Sequence, residues 1–494
     1  MRSGRVGPRG ARGSRSRFGV RLAIVAVCAL AVRLLYILVI ARAPVGVGGD
    51  AGFYHSAANL LASGRFYYRG IFGHAYVTAE HPPLYPLLLS VVSLTGAKTL
   101  LAHRVAGCIV GAASVGLIGE LGRRLNGRSG IRAGNSPNSP AVRPDDGSGL
   151  SAFRPDDGSR PSAARPGDGS RSSATRPGER AGLIAAGVAA VYPPFVTADG
   201  LVMSEPLFVF MVVVALLIAC RLIVAPNVAL AGILGVLVGL AALTRPEGLL
   251  LLVLLGWPAG WMPARGRALR LIAMTVATAV VLTPWVVRNV VVFHRVTLAT
   301  DANTVLAGAN CHDTYYGRDV GWWSLDCLGR GRTRGQLLVG DASPAAGLRY
   351  ARDHLARLSV VVVARVLRTF DLLAPLRQGN REPRRRWVDV LGLVFYFPLL
   401  LLAGLGFARN WRERRSAITP APGRTRSPAL VALILAPVWS AVIVSVLGWG
   451  IGRFRVGADV SLIVLATLAL APPRLRRARA RSESPGHGAE ADRP

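Results

Sequence analysis

Three acidic positions stand apart from the other carboxylates of this chain. Asp50 lies in Gly48-Gly49-Asp50-Ala51-Gly52-Phe53-Tyr54-His55, just after the first long apolar run. Glu80 opens Glu80-His81-Pro82-Pro83-Leu84-Tyr85-Pro86, and Glu205 precedes Pro206 where another apolar run begins. A carboxylate can orient a weakly nucleophilic hydroxyl and take its proton. Three arginines have matching placements: Arg245 in Thr244-Arg245-Pro246-Glu247-Gly248, and Arg453 and Arg455 in Arg453-Phe454-Arg455. A guanidinium grips phosphate oxygens in pairs, and fixed cations stabilise a phosphate as it departs. Carboxylates and arginines at one face of an apolar helix bundle point to chemistry on a lipid-linked substrate.

Each position also has a plainer reading. Asp50 precedes a helix expected over 51–63, with Phe53, Tyr54, Ala57, Leu60 and Leu61 at helical spacing, so it is expected as the N-cap of that helix. Glu205 fits an ordinary surface cap, and Glu80 a solvated turn before prolines. Tyr54, His55 and His81 are placed to contact a sugar or a phosphate, although interfacial histidines often have no chemical role. Arg245 sits at the tip of an apolar hairpin, where a charge is costly unless used. Arg453 and Arg455 fit either a phosphate or snorkelling at the interface. Arg33, within the first apolar run, should face the bundle and pair with an acid that the sequence does not name.

The elements that must position these groups are membrane spans. The chain has 494 residues, is 51% hydrophobic and carries a formal net charge of +33. Repeated apolar runs near 20 residues read as transmembrane helices. The arginines cluster between those runs, as expected for orientation in a membrane; no aromatic-rich basic patch points to nucleic acid. About ten spans are expected: roughly 18–40, 101–121, 181–198, 206–224, 228–244, 247–262, 268–287, 388–408, 429–448 and 458–472. The arginine placement puts both termini in the cytoplasm and the candidate residues on the extracytoplasmic face. Helices 51–63 and 83–95 are too short to cross and are expected at the interface. The run 358–367, flanked by Arg352, Arg357, Arg365 and Arg368, reads as an amphipathic surface helix.

The expected organisation is a basic tail (1–17), first spans with the catalytic loop (18–125), a loop (126–180), a bundle (181–287), an outer segment (288–387), C-terminal spans (388–472) and a cytoplasmic tail (473–494). The loop is an internal repeat with an eleven-residue period. Arg143-Pro144-Asp145-Asp146-Gly147-Ser148 recurs as Arg154-Pro155-Asp156-Asp157-Gly158-Ser159. Its Pro, Gly, Ser and charge content predicts disorder. Cys28, Cys108 and Cys220 lie in apolar runs and act as small hydrophobes. Cys311 and Cys327 lie in the outer segment, where a disulfide persists. Their pairing is expected to stabilise by roughly 3 kcal/mol in the chain-entropy picture. No metal-ligand spacing of Cys and His is present.

The motifs together resemble the polytopic lipid-sugar glycosyltransferases of the GT-C fold, and within it family-39-like enzymes, which include protein O-mannosyltransferases and lipid A aminoarabinose transferases. The resembling parts are Asp50 with Tyr54-His55 and Ala57, His81-Pro82-Pro83-Leu84-Tyr85-Pro86, Glu205-Pro206, Thr244-Arg245-Pro246 and Arg453-Phe454-Arg455. They run across most of the chain outside 126–180 and the tails. The resemblance implies an all-α polytopic fold and transfer of a sugar, with inversion, from a polyprenyl-phosphate donor to an acceptor hydroxyl. The acceptor would be a glycan, a lipid or a protein, and the chain would be a multi-pass protein of the cell membrane with its active site on the extracytoplasmic face. It implies Asp50 as catalytic base or its neighbour, Glu205 as the second acid, and Arg245, Arg453 and Arg455 as ligands of the donor phosphate. Relatives often carry lysine where Arg245 stands. Two separated carboxylates leave a divalent cation, Mg²⁺ or Mn²⁺, open. The competing reading is a transporter or lipid flippase, although the spans show no two-half repeat.

Overall fold

The structure is a computed structural model that describes residues 9–41, 49–71, 74–126, 177–262, 264–328, 344–379, 385–415 and 426–470. Most of the repeat-containing loop, and both ends of the chain, lie outside the described residues.

Helix α1 (Arg9–Leu35) continues as a π-helical turn over Tyr36–Ile40. Next come α2 (Gly49–Ala62), a two-stranded antiparallel hairpin of β1 (Tyr68–Ile71) and β2 (His74–Val77), α3 (Leu84–Leu94) and α4 (Leu100–Asn126). Helices α5 (Pro177–Val191) and α6 (Pro193–Asp199) meet at a bend of 57°. Proline at both positions of Pro193-Pro194 removes backbone donors and explains the break. Then follow α7 (Glu205–Val224), α8 (Val228–Thr244), α9 (Trp257–Trp261) and α10 (Arg267–Phe293). A segment of short helices comes next: α11 (Ala302–Ala309), α12 (His312–Tyr315), α13 (Pro344–Asp353), α14 (Leu355–Thr369) and α15 (Pro375–Gly379). The chain returns to long helices with α16 (Arg386–Arg415), α17 (Arg426–Leu447) and α18 (Val456–Leu470).

Among the described residues, six helices are long and apolar enough to cross a membrane: 17–40, 100–126, 205–224, 267–293, 386–412 and 430–447. The bent α5–α6 pair makes a seventh if it is one span. The remaining three of the ten expected segments are helical but short or irregular. α8 has 17 residues, α18 has 15, and the stretch after Arg245 breaks into 3-10, π and α turns. This is the build of a multi-pass membrane protein. The chain is not wholly α-helical, however. The β1–β2 hairpin pairs Tyr68 with Val77 and Ile71 with His74, a feature the apolar pattern did not announce.

Two cores hold the site. The main core joins α4, α5, α7, α8, α17 and α18 through buried Val115, Ile118, Ala185, Ala189, Val212, Leu216, Leu234, Ile434 and Ile463. Small residues let α4 and α5 approach closely: a Cβ on Gly182 would strike the carbonyl of Gly119. The second core lies under α2 and α3. Phe53, Tyr54, Ala57 and Ala58 pack with Tyr67, Tyr85, Leu89, Val202, Leu207, Leu243 and Trp285. Burying that stripe holds a 14-residue helix that would be marginal alone in water.

The amphipathic helix expected over 358–367 extends over 355–369 as α14. Its arginines turn inward. Arg365 donates to the carbonyls of Ala309 and Val446 and to Asn310, and Arg368 to the carbonyls of Val320 and Arg318. Leu355, Val360 and Val363 face outward.

Candidate functional site

Four chain segments distant in sequence bring their charges to one end of the bundle. Asp50 comes from the first turn of α2, which differs from the N-cap position expected for it: the helix begins at Gly49, two residues before the expected start at 51. Gly49 has φ of +69°, a backbone region that side chains other than glycine's rarely take, so the helix starts there without strain. Glu205 heads α7, with Pro206 in the first turn where its missing N–H costs nothing. Arg245 caps the end of α8 in an extended conformation, so the hairpin tip turns its guanidinium toward α7. Arg453 belongs to a 3-10 turn (Gly452–Arg455) leading into α18.

Arg453 is the bridge. Its Nη2 lies 3.0 Å from Asp50 Oδ2 and its Nε 2.7 Å from Glu205 Oε1. Arg245 Nη1 approaches the same Glu205 oxygen at 2.9 Å and also holds Glu247. Glu205 is 2% exposed, yet its Oε2 is buried with no hydrogen-bond partner. A buried carboxylate oxygen left unpaired is expensive, so it marks spare binding capacity. Asp50 and Arg453 are more open, with a third and a quarter of their side chains exposed.

His81 completes the cluster. Its Nε2 lies 3.6 Å from Asp50 Oδ1 and its Nδ1 3.4 Å from Asp301 Oδ2. The ring stacks on Tyr54, with centroids 5.2 Å apart, and meets the edge of Phe53. Tyr54 in turn donates to Ser204 beside Glu205. Burial alone would raise the Asp50 carboxyl, but the charges of Arg453 and His81 and the hydrogen bond from Arg453 outweigh it and hold it well below the usual carboxylate range. Burial would lower His81, and the Tyr54 oxygen with the Asp301 and Asp50 carboxylates pushes it well above the usual imidazole value.

The other sequence candidates go elsewhere. His55 points away from Asp50. Its Nδ1 is 3.1 Å from Nδ1 of His103 in α4, in a polar patch with Asn59 and Ser93. Glu80 precedes His81, and its backbone N–H donates to Thr78 Oγ1. Arg455 is buried against Asp371 at 2.7 Å and Asp459 at 3.1 Å, its guanidinium 3.7 Å from the Tyr396 ring centroid. Cys311 and Cys327 are joined by a disulfide. Sequence reasoning did not select Glu247 or Asp301 as site residues. Glu247 follows Arg245 by two positions, a local signal within the quoted tip motif. Asp301 carried no signal, since it reaches the site only through tertiary packing.

Beside Glu205 and Arg453 opens a cavity walled by Pro193, Pro194, Leu201, Met203, Val388 and Leu393, with Arg453, Arg455, Asp371 and Asp389 at its polar side. Glu205 and Asp459 also line it, so four carboxylates stand beside the two guanidiniums. Among the described residues, no group of three or more His, Cys, Asp or Glu side chains is arranged to hold a metal ion. The place between Asp50 and Glu205 that a divalent cation would occupy is taken by the Arg453 guanidinium, so this donor set does not fit a bridging metal.

No family model and no curated protein matches the chain. Among solved structures, it is similar to the oligosaccharyltransferase of Archaeoglobus fulgidus tethered to an acceptor peptide through a disulfide bond. Identity is 14% and the TM-score 0.48, over 91% of this chain and 49% of that one. It is also similar to the archaeal oligosaccharyltransferase AglB from Archaeoglobus fulgidus in complex with an inhibitory peptide and a dolichol-phosphate. There identity is 16% and the TM-score 0.47, over 92% of this chain and 50% of that one. The chain thus spans about half the length of these proteins.

Proposed function

We propose that the protein is a GT-C-type membrane glycosyltransferase that moves a sugar from a polyprenyl-phosphate donor to an acceptor hydroxyl, with inversion, on the extracytoplasmic face. The observation that carries this reading is the Arg453 guanidinium, held between Asp50 and Glu205 and lining a partly apolar cavity. The order and spacing of the motifs around these residues support it.

In this reading the donor phosphate enters the cavity and takes Arg453 as its ligand through the planar fork. Arg453 then shares its charge with the phosphate instead of Asp50. The Asp50 carboxylate, held a weak base by that arginine, becomes a stronger one. It accepts the proton of the acceptor hydroxyl as the acceptor oxygen attacks the anomeric carbon from the face opposite the phosphate. The carbon–oxygen bond to the phosphate breaks and its electron pair leaves with the phosphate, whose charge Arg453 stabilises. Glu205 offers its unpaired Oε2 to a hydroxyl of the sugar or the acceptor. Arg245 keeps Glu205 ionised and oriented, while Arg455 lines the cavity already paired with Asp371 and Asp459. The scheme makes the donor bind before the acceptor.

The test is an assay of the purified chain in lipid vesicles against a panel of polyprenyl-phosphate-linked sugars, with membrane extract as the acceptor source. Transfer from at least one donor is expected. Movement of the lipid-linked sugar between leaflets, with no transfer, would favour the flippase reading instead.

A further inference from the structure

The position of His81 is fixed on every side. The Tyr67 hydroxyl donates to the carbonyls of His81 at 2.7 Å and Pro82 at 2.9 Å, pinning the backbone. Tyr54 and Phe53 confine the ring faces. The Thr300 N–H donates to the Ala79 carbonyl at 2.8 Å, which ties the segment before α11 to the segment before His81. That pairing is what brings Asp301, at the N-cap of α11, to the far nitrogen of the ring. Asp301 makes no side-chain cap bond to its own helix. The near nitrogen, Nε2, is buried and faces Asp50 Oδ1 at 3.6 Å, an ion-pair contact too long for a hydrogen bond. A buried ring nitrogen left without a hydrogen bond beside an anion is an open donor, and the partner on the opposite nitrogen decides how it is presented.

We propose that Asp301 is a positioning residue: its carboxylate holds the His81 ring so that Nε2–H stands as a fixed donor to an oxygen of the substrate phosphate. The charged and titratable groups around the ring are Asp50 and Tyr54 on α2 and Asp301 at α11, with Arg453 reaching it only through Asp50. Two flanking carboxylates favour an imidazolium with both nitrogens protonated. Asp50 stands between the two cations, its Oδ2 3.0 Å from Arg453 Nη2 and its Oδ1 3.6 Å from His81 Nε2, so a phosphate held at Arg453 would reach the ring across that carboxylate. The inference rests on the donor reading for the identity of the phosphate, and on the geometry of the ring for the role of Asp301.

The experiment uses the full-length chain in lipid nanodiscs with ¹⁵N-labelled histidine, the His81→Gln variant identifying the His81 signals. In the wild type both ring nitrogens should stay protonated well above the pH at which a free imidazole loses its proton. In Asp301→Asn the ring should lose its proton at least one pH unit lower, and Asp301→Glu should restore most of the wild-type titration. Adding polyprenyl phosphate without a sugar should move the Nε2 signal in the wild type and move it far less in Asp301→Asn. With a working transfer assay, Asp301→Asn should raise the donor KM about tenfold, with a smaller change in kcat, and advance the alkaline loss of activity to lower pH. An ordinary imidazole titration in the wild type, which needs no variant to fold, would overturn the proposal. So would an unchanged titration in Asp301→Asn, or an Nε2 signal indifferent to polyprenyl phosphate. A signal that responds while the wild type transfers no sugar would sink the enzymatic reading and leave the Asp301–His81 phosphate site standing.

Discussion

Two arginine–carboxylate pairings in this molecule use the same ingredients for different ends. In the bundle, Arg33 on α1 donates to Asp199 at 2.6 Å and to the carbonyls of Ala29 and Ala190. Arg33 is wholly buried, and neither it nor Asp199 has a side-chain polar atom that is buried and unpaired. A Cβ on Gly111 would collide with the Asp199 carboxylate, so a glycine stands there to let α4 close over the pair. At the bundle end, Arg453 joins Asp50 and Glu205 in a partly open cluster beside a cavity, with Glu205 Oε2 left unpaired. The difference teaches that the type of pair does not reveal its role. A closed, fully satisfied pair fixes helix packing. A pair with spare valence and an approach route is available to a ligand.

Breaking the closed pair should have the largest effect on the fold. Asp199→Ala strands a buried guanidinium, and removing one partner of a buried pair costs about 3–5 kcal/mol. The expectation is a sharp fall in folded yield and in melting temperature, and near-normal folding of this variant would contradict a structural role. Breaking the open cluster should act on turnover instead. Arg453→Ala removes a transition-state cation and is expected to cut sugar transfer by about 10²–10³-fold, in line with loss of one preorganised donor. Circular dichroism and melting should change little, since both partners keep other contacts or solvent. If the variant unfolds as readily as Asp199→Ala, the contrast between the two regions fails.

A pH series sharpens the same contrast at smaller amplitude. His81 is raised, so its contribution to stability is complete below the ordinary imidazole value near 6.5 and is lost as pH climbs through the raised folded value. Asp50 is depressed, so its contribution is complete above the ordinary carboxylate value near 3.9 and is lost only as pH falls through the depressed folded value. Melting curves from pH 6 to pH 9.5 should therefore show an alkaline decline in the wild type, reduced in His81→Gln. Equal declines in both would remove His81 as the cause. The disulfide provides the smallest test, because it lies outside both clusters. Cys311→Ser with Cys327→Ser should lower the melting temperature while transfer at low temperature stays within about twofold. A transfer loss as large as that of Arg453→Ala would show that the segment is coupled to the site.

How much of this could be read from the residues varied with the kind of contact. The helical segments were legible because apolar length is a one-dimensional signal, and so was the shared placement of Asp50, Glu205, Arg245 and Arg453 at one end. Arg455 shows where that stops. Two positions from Arg453 in sequence, it turns to Asp371 and Asp459, and only the winding of the 3-10 turn separates the two directions. His55 lies five residues from Asp50 on the same helix, on a different face, and finds His103. The β1–β2 hairpin escaped because four-residue strands are too short to show alternation. Asp301 and the partner of Arg33 are products of tertiary packing, which periodicity does not encode.

Asp50→Asn is the most direct test of the central claim, because it keeps the shape and hydrogen-bonding reach of the side chain and removes its basicity. The purified variant and the wild type would be compared for transfer from a polyprenyl-phosphate-linked sugar, with the anomeric configuration of the product read by NMR. Inverted product is expected from the wild type, with a rate at least about 10²-fold lower from Asp50→Asn and only a small drop in melting temperature from the lost charge of a partly exposed ion pair. Equal rates from the two proteins would contradict the claim.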